Sequence, residues 1–279
     1  MPDYEPNQVL ATGEYDVVGT RPIRHDGPDK VIGRARYAAD IHLPGMLHGK
    51  LLRSPHPHAK IRNIDASRAL AMPGVKAVVT AADLPDVSAA MVDQEEGIAV
   101  NYGFYSRNVM AREKALYKGH VVAAVAANSP HVAEEALALI DVDYEVLTPV
   151  LNADDAMRDG APLLHERLVT QASPGARAGG YGQPGETKGS NIANHFRFLR
   201  GDPDRGFNEA DVVVEREFNT ATVHQGYIEP QNATVLWNSD GEITVWTSTQ
   251  GPFSVRQTTA AMLDVPVSRV RVIPMEIGG

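Results

Sequence analysis

Apolar runs separated by glycine, proline and polar clusters divide this chain into strand and helix signals, with a break in the middle. Residues 1 to about 28 show neither period, and Gly19, Pro22, Gly27 and Pro28 punctuate them, which predicts an extended lead-in. From Lys30 to about Val150 the two kinds of signal alternate. Residues 46–53 (MLHGKLLR) and 59–64 read as strands, with Ser54-Pro55-His56-Pro57 forcing the turn between them. A short helix over 65–72 is expected to be capped by Asp65 and stopped by Pro73-Gly74. Residues 75–80 read as a buried strand, 102–115 as a loop, and 121–127 (VVAAVAA) as a second apolar strand. Ser129 caps a helix over 130–140 that has Pro130 at its first position and Glu134-Glu135 in its early turns. Residues 141–146 return as a strand. Two helix-then-strand crossings in one stretch predict an α+β domain of about 120 residues.

The pattern then fails. Residues 173–190 (SPGARAGGYGQPGETKGS) hold six glycines and two prolines in eighteen positions, a composition that builds no core. Beyond them 212–218 (VVVEREF), 234–237 and 243–247 alternate as β-strands, and Asn238-Ser239-Asp240-Gly241 reads as a hairpin turn of the Asp-Gly kind. A helix from Pro252 to Leu263 and a strand at 270–273 follow, then Gly278-Gly279. The expected organisation is a lead-in over 1–28, a first domain over 29–150, a linker over 151–210, and the first part of a β-rich domain over 211–279. Paired glycines let a ligand approach the backbone without a clash. The end of the chain is therefore expected to form half of a site whose other half lies elsewhere.

Composition narrows the function classes. The 279 residues are 43% hydrophobic and 22% charged, as in an ordinary soluble globular protein, and are enough for two domains. A net charge of −9 without any basic run argues against nucleic-acid binding, which draws its affinity from Lys and Arg on phosphates. No apolar run approaches the ~20 residues that span a bilayer, and the acidic start Met1-Pro2-Asp3-Tyr4-Glu5 is unlike a secretory signal. A cytoplasmic location is expected. The chain has no cysteine, so it forms no disulfide and ligates no iron–sulfur cluster. Any redox relay needs a partner subunit.

Most candidate motifs have a plainer reading beside the chemical one. Gly180, Gly182 and Gly185 spell G-x-G-x-x-G, but neither a strand before nor a helix after supports a dinucleotide fingerprint, which leaves a loop. Lys188 is followed by glycine, so the segment is not a P-loop either. His56 and His58 would share one face of a strand as a metal pair, but the prolines around them favour a turn, and no further ligand at helical spacing completes a zinc site. Asp154-Asp155 and Glu134-Glu135 read as solvated faces. Gln250 stands apart. It lies where a strand ends beside Gly251-Pro252 and the start of a helix, where a neutral amide can donate to an oxo or phosphate group and the helix N-terminus adds partial positive charge. It could equally cap its own helix.

Several segments, taken in order, resemble the molybdenum-binding large subunit of the xanthine dehydrogenase and aldehyde oxidase family, which includes carbon monoxide dehydrogenase and 4-hydroxybenzoyl-CoA reductase. They are the run from Gly33 through Arg36-Tyr37 to Asp40, Arg53-Ser54-Pro55-His56-Pro57-His58, Met72-Pro73-Gly74-Val75, Leu116-Tyr117-Lys118-Gly119-His120, and Asp143-Tyr144-Glu145-Val146. Gln225-Gly226-Tyr227-Ile228-Glu229-Pro230-Gln231, Thr247-Ser248-Thr249-Gln250 and the approach to Gly278-Gly279 complete the set. The resemblance implies an α/β hammerhead domain followed by the beginning of a β-rich molybdenum-cofactor-binding domain. His120 departs from the family, which commonly places Glu or Gln there.

The resemblance further implies hydroxylation or dehydrogenation at a carbon centre, with oxygen taken from water. The cofactor it implies is molybdenum on a pterin dithiolene, usually a cytosine dinucleotide in bacteria. The implied partners are a small subunit with [2Fe–2S] clusters, often a medium subunit with FAD, and the remainder of the large subunit or a second polypeptide. Gln250 would hydrogen-bond a molybdenum oxo ligand, Gly278 and Gly279 would offer close backbone contact to the cofactor, Phe253 would form pocket wall, and Glu229 would act as local scaffolding. The chain alone is then expected to be inactive. Two other functions compete with this reading, a non-catalytic binding or assembly module that kept the hammerhead, and a metal hydrolase built on the histidines.

Overall fold

The computed structural model describes residues 16–17, 21–87, 91–94, 98–166, 171–173, 189–192, 194–196 and 199–279. Its first half is built from β1 (His48–Arg53), β2 (Ala59–Asp65), α1 (Ser67–Leu70), β3 (Val75–Thr80), α2 (Tyr102–Val109), β4 (Lys114–Ala115), β5 (Val121–Ala127), α3 (Pro130–Leu137) and β6 (Asp141–Val146). They form two antiparallel three-stranded sheets, β1-β5-β3 and β4-β2-β6. The apolar run of β5 places it at the centre of the first sheet, where a strand is covered on both faces. Ala133 and Ala136, three apart on α3, pack with Ala123, Val125 and Ala127 of β5 into one buried cluster. Ser129 Oγ accepts from the Val132 N–H at 3.2 Å and caps the helix as its position predicts.

Three expectations are corrected here. Residues 102–115 contain helix α2 rather than only loop: Tyr102 and, just beyond the helix, Met110 and Ala111 are buried, and burial overrides the weak intrinsic propensity of YGFYSRNV. The helix near Asp65 shrinks to α1, whose N-cap position falls to Ala66 rather than Asp65, while Asp65 Oδ1 accepts from the Ser67 N–H at 2.9 Å. Residues 212–218 form no strand and pair with none among the described residues. The lead-in lies mostly outside the described residues, although a short helix, Gly27–Val31, opens at its end. The segment expected as a linker carries the helices Ala153–Met157 and Pro203–Glu209 and a parallel strand pair, Gln171–Ser173 with Asn194–Phe196. The G-x-G-x-x-G letters lie outside the described residues.

Residues 233–275 form one sheet, β7 (Ala233–Trp237), β8 (Ile243–Ser248) and β9 (Val270–Met275), in that order. β7 and β8 form the expected hairpin, with Gly241 at φ +88°, a conformation open to glycine and costly for other residues. β8 and β9 are parallel and joined by α4 (Pro252–Leu263), which folds back over the sheet. Ile243, Val245, Ala260 and Val270 form its core, with Leu263, Val265 and Val272 against them.

One buried group gives this fold a pH dependence. His120 is fully buried, stacks on Tyr117 at 4.4 Å, and its Nδ1 accepts from the Leu116 N–H at 3.1 Å, which places the proton on Nε2. Among the described residues Nε2 has no hydrogen-bond partner. Burial, aided by His165, holds the imidazole below its ordinary value of 6.5, against the opposing backbone of Arg107 and Asn108. A folded value below the unfolded one means the unfolded chain takes the extra proton first. Stability is then full above about pH 6.5 and declines as pH falls from there through the folded value. Denaturant titrations between pH 7.5 and 5 are expected to show this loss, and His120→Gln is expected to flatten part of it. His165, held low by burial together with Lys114 and Arg107, accounts for a further share.

Candidate functional site

Parallel strands joined by a helix end side by side, and the carboxyl edge of such a pair is where α/β folds hold ligands. In this chain Ser248 pairs with Met275 at the last rung of β8 and β9. Two residues beyond Ser248 stands Gln250, and three beyond Met275 stands Gly278. Both candidates therefore leave the sheet at the same edge, together with the first turn of α4. Gly251 is the N-cap of α4, Pro252 is its first residue, and no side chain caps it. Pro252 itself lacks an N–H, so the positive end of the helix is presented by the residues after it. Gln250 is exposed and its side chain makes no hydrogen bond among the described residues. It does not cap its helix. Phe253, in the first turn, is 66% exposed at the same edge, and Gly279 follows Gly278 directly.

A single carboxylate ties this edge together. Glu229 Oε1 accepts from Ser248 Oγ at 2.8 Å, and its Oε2 accepts from the Gly278 N–H at 2.5 Å. The Ile228 N–H donates to the Gly279 carbonyl at 2.8 Å. A Cβ built on Gly278 would stand 2.8 Å from Glu229 Cβ, so only glycine passes this point unstrained. On Gly279 the same Cβ meets nothing within 4 Å, which leaves open space beside the backbone. Replacing Glu229 by Gln keeps one acceptor for Gly278 and a polar group for Ser248, whereas Ala removes both. Glu229→Ala is expected to cost about 1–3 kcal/mol of stability in thermal unfolding, and Glu229→Gln well under half of that.

The carboxyl end of β9 is itself strapped by the N-terminal segment. The Glu276 N–H donates to the Arg36 carbonyl at 3.2 Å, Tyr37 bridges to Glu276, and Lys30 Nζ lies 2.8 Å from Glu276 Oε2. Ala38, fully buried, follows directly. Glu229, Ser248 and this strap are contacts that sequence reasoning locates incompletely. Glu229 stands out there only as scaffolding, and a lone serine at a strand end is too common to mark Ser248.

The other candidates do not converge on this edge. His58 Nδ1 donates to the Thr148 carbonyl at 2.8 Å, and its buried Nε2 has no partner among the described residues, while His56 meets Tyr144 edge-on at 5.1 Å. They serve separate contacts and form no metal pair. Among the described residues no group of three or more His, Asp or Glu is placed to hold a metal ion, and no helix is long and apolar enough to cross a membrane. Among the described residues His224, just before Gly226, meets Tyr227 edge-on and accepts from the Gly226 N–H.

Residues 32–148 match the family described as the aldehyde oxidase and xanthine dehydrogenase a/b hammerhead domain, and residues 185–279 match the molybdopterin cofactor-binding domain. The chain belongs to the molybdenum-binding large subunits of the xanthine dehydrogenase and aldehyde oxidase family. It is 35% identical over 251 residues to the carbon monoxide dehydrogenase large chain of Afipia carboxidovorans, covering 88% of this chain and 29% of that one. It is 31% identical over 266 residues to the nicotinate dehydrogenase large molybdopterin subunit of Eubacterium barkeri, covering 95% and 55%. Among solved structures, reconstituted CO dehydrogenase from Oligotropha carboxidovorans superposes with a TM-score of 0.73 at 31% identity, over 94% of this chain and 31% of that one. Quinoline 2-oxidoreductase from Pseudomonas putida 86 gives 0.72 at 29%, over 94% and 30%. This member of the family spans well under two thirds of either relative's length.

The residues present fit a molybdopterin group. An unengaged amide, an uncapped helix start and open space beside Gly279 share one edge. That combination suits a bulky anionic group that must be met by fixed donors and bare backbone.

Proposed function

We propose that the chain forms part of the cofactor site of a molybdenum hydroxylase or dehydrogenase that oxidises a carbon centre of a small organic substrate. The observation that carries this reading is the unused Gln250 amide at the carboxyl edge of β8 and β9, beside the start of α4. The bound cofactor, a molybdopterin cytosine dinucleotide in this reading, supplies a two-electron acceptor, and water supplies the oxygen. Gln250 donates its amide N–H to an oxo group of the cofactor, and the N-terminus of α4 adds positive potential at the same place. Gly278 and Gly279 give the cofactor close backbone contact, and Phe253 closes one wall against water. Glu229 holds Gly278 to the end of β8.

Electrons leave through partners. The chain has no cysteine, so the [2Fe–2S] clusters belong to a small subunit, with FAD on a medium subunit. The rest of the cofactor site comes from polypeptide beyond these 279 residues, and the isolated chain is inactive. The assembled complex works in the cytoplasm.

Elemental analysis of the complex purified from its native source tests this reading. Molybdenum in near-stoichiometric amount with this chain is the expected result. A fully assembled complex free of molybdenum would contradict it and would favour a purely structural role in assembly.

A further inference from the structure

We infer that Lys30 is a positioning residue for the cofactor site, acting through Glu276 to fix where Gly278 and Gly279 stand. Glu276 follows β9 directly and lies two residues ahead of Gly278. The N-terminal segment holds both its carboxylate and its backbone. Lys30 Nζ reaches Glu276 Oε2 at 2.8 Å and Asp26 Oδ2 at 3.1 Å, and the Arg24 guanidinium grips Asp26 in turn. Two carboxylates therefore share one ammonium, whose side chain is only 21% exposed. Glu276 first, and Asp26 after it, raise the Lys30 pKa above the usual lysine value, so the group stays charged at neutral pH.

Lys30 is not on a loose tether. The Arg34 and Ala35 N–H groups both donate to the Asp29 carbonyl, at 2.8 and 3.0 Å, and Gly33 reverses the chain at φ +74°. This closed turn joins the helix Gly27–Val31 to Arg36. The ammonium of Lys30 and the carbonyl of Arg36 thus meet Glu276 as one piece. Beyond it Ala38 and Ile41 are buried, and the turn Ala38–Asp40 packs on β7 and β8. An exposed ion pair usually contributes little, because two long side chains lose freedom to form it. Here the backbone that carries each partner is already fixed, so less freedom remains to be lost.

The next holds along the chain are the Gly278 N–H on Glu229 and the Gly279 carbonyl on the Ile228 N–H. Residues 276–279 are therefore pinned alternately, by the N-terminal strap at Glu276 and by residues 228–229 at the glycines. Among the described residues the Lys30 pair is the one ion pair between the strap and this stretch. Loss of its charge leaves the backbone bond to Arg36 in place but frees the Glu276 side chain, and the glycines beyond it gain room to shift. The inference rests on the reading of the glycine edge as support for a molybdenum cofactor.

Three variants of the purified complex test it: Lys30→Met, Lys30→Arg, and Lys50→Met as a control. Lys50 pairs with Glu134 at 3.0 Å within the first domain. In Lys30→Met the amides of Glu276 and Gly278 are expected to exchange about fivefold faster, with those of β5 unchanged. Molybdenum, followed by elemental analysis during dialysis, is expected to leave that complex about fivefold faster than the parent. Lys30→Arg, which keeps the charge, is expected to restore both, and Lys50→Met to alter neither. Unchanged exchange at Glu276 and Gly278 would overturn the inference, as would molybdenum loss no faster than in Lys50→Met or a failure of Lys30→Arg to restore the parent behaviour. Faster exchange across β5 as well would mark a general loss of stability and overturn it too. Metal content of the parent separates the two claims. A parent complex without molybdenum sinks the cofactor reading, whereas a loaded parent with unchanged exchange in Lys30→Met sinks only the role of Lys30.

Discussion

Replacing Gln250 by Ala is expected to lower turnover of the assembled complex about 10²–10³-fold, the usual cost of removing one fixed donor from a developing or resident negative charge. The fold should barely notice. The side chain is exposed and holds no hydrogen bond among the described residues, so the thermal stability of the variant should stay within ~0.5 kcal/mol of the parent. Gln250→Glu sharpens the test, because it keeps the shape, removes both donor hydrogens and adds a negative charge. It is expected to be at least as inactive as the Ala variant. A helix-capping role predicts the opposite pattern, a loss of about 1 kcal/mol of stability with turnover intact. Side-by-side kinetics and thermal unfolding of the two variants separate these outcomes.

Gly278→Ala is expected to damage both stability and metal retention. The added methyl would stand 2.8 Å from Glu229 Cβ and 3.1 Å from its Oε2. The first of these atoms is fixed to the backbone and cannot swing aside. Relief requires main-chain movement at the edge where β8 and β9 end, at a cost of about 1–3 kcal/mol. The molybdenum content of the complex should fall with it, because the open backbone beside Gly279 moves too. A second substitution checks the cause. Glu229→Ala keeps the offending Cβ and should not relieve the clash, whereas Glu229→Gly removes it. In a double-mutant cycle, Gly278→Ala should cost markedly less stability in the Glu229→Gly background than alone. Additive costs would show that the crowding lies elsewhere.

How far the sequence reached depended on whether a signal was local. β5 and β6 stand where VVAAVAA and DVDYEV place them, and Ser129-Pro130 marks the start of α3, because a run of apolar residues and a cap are readable within a few positions. The hairpin at Asp240-Gly241 and the helix after Gly251-Pro252 are legible for the same reason. Helix α2 was not legible. Gly103, Ser106 and Asn108 weaken its propensity, and the burial that stabilises it comes from residues distant in sequence. Residues 212–218 show the converse, an apolar run that reads as a strand but forms none among the described residues. At the candidate site, Gln250 and the two glycines were legible as a strand end and a place for close approach. The contact that joins them was not. Glu229 reaches Ser248 across 19 positions and Gly278 across 49, and no local pattern encodes a bridge of that span. The neighbourhood of Gln250 and Gly278 follows only once β8 and β9 are known to be parallel and in register at Ser248 and Met275.

The central claim is that the amide of Gln250 meets the molybdenum cofactor at the shared edge of these two strands. A density map of the molybdenum-loaded complex at side-chain resolution tests it most directly. The expected result places Gln250 Nε2 within about 3 Å of an oxygen of the bound cofactor, with Gly278 and Gly279 lining the same cofactor. A cofactor bound at another face, with Gln250 in open water, would contradict the account.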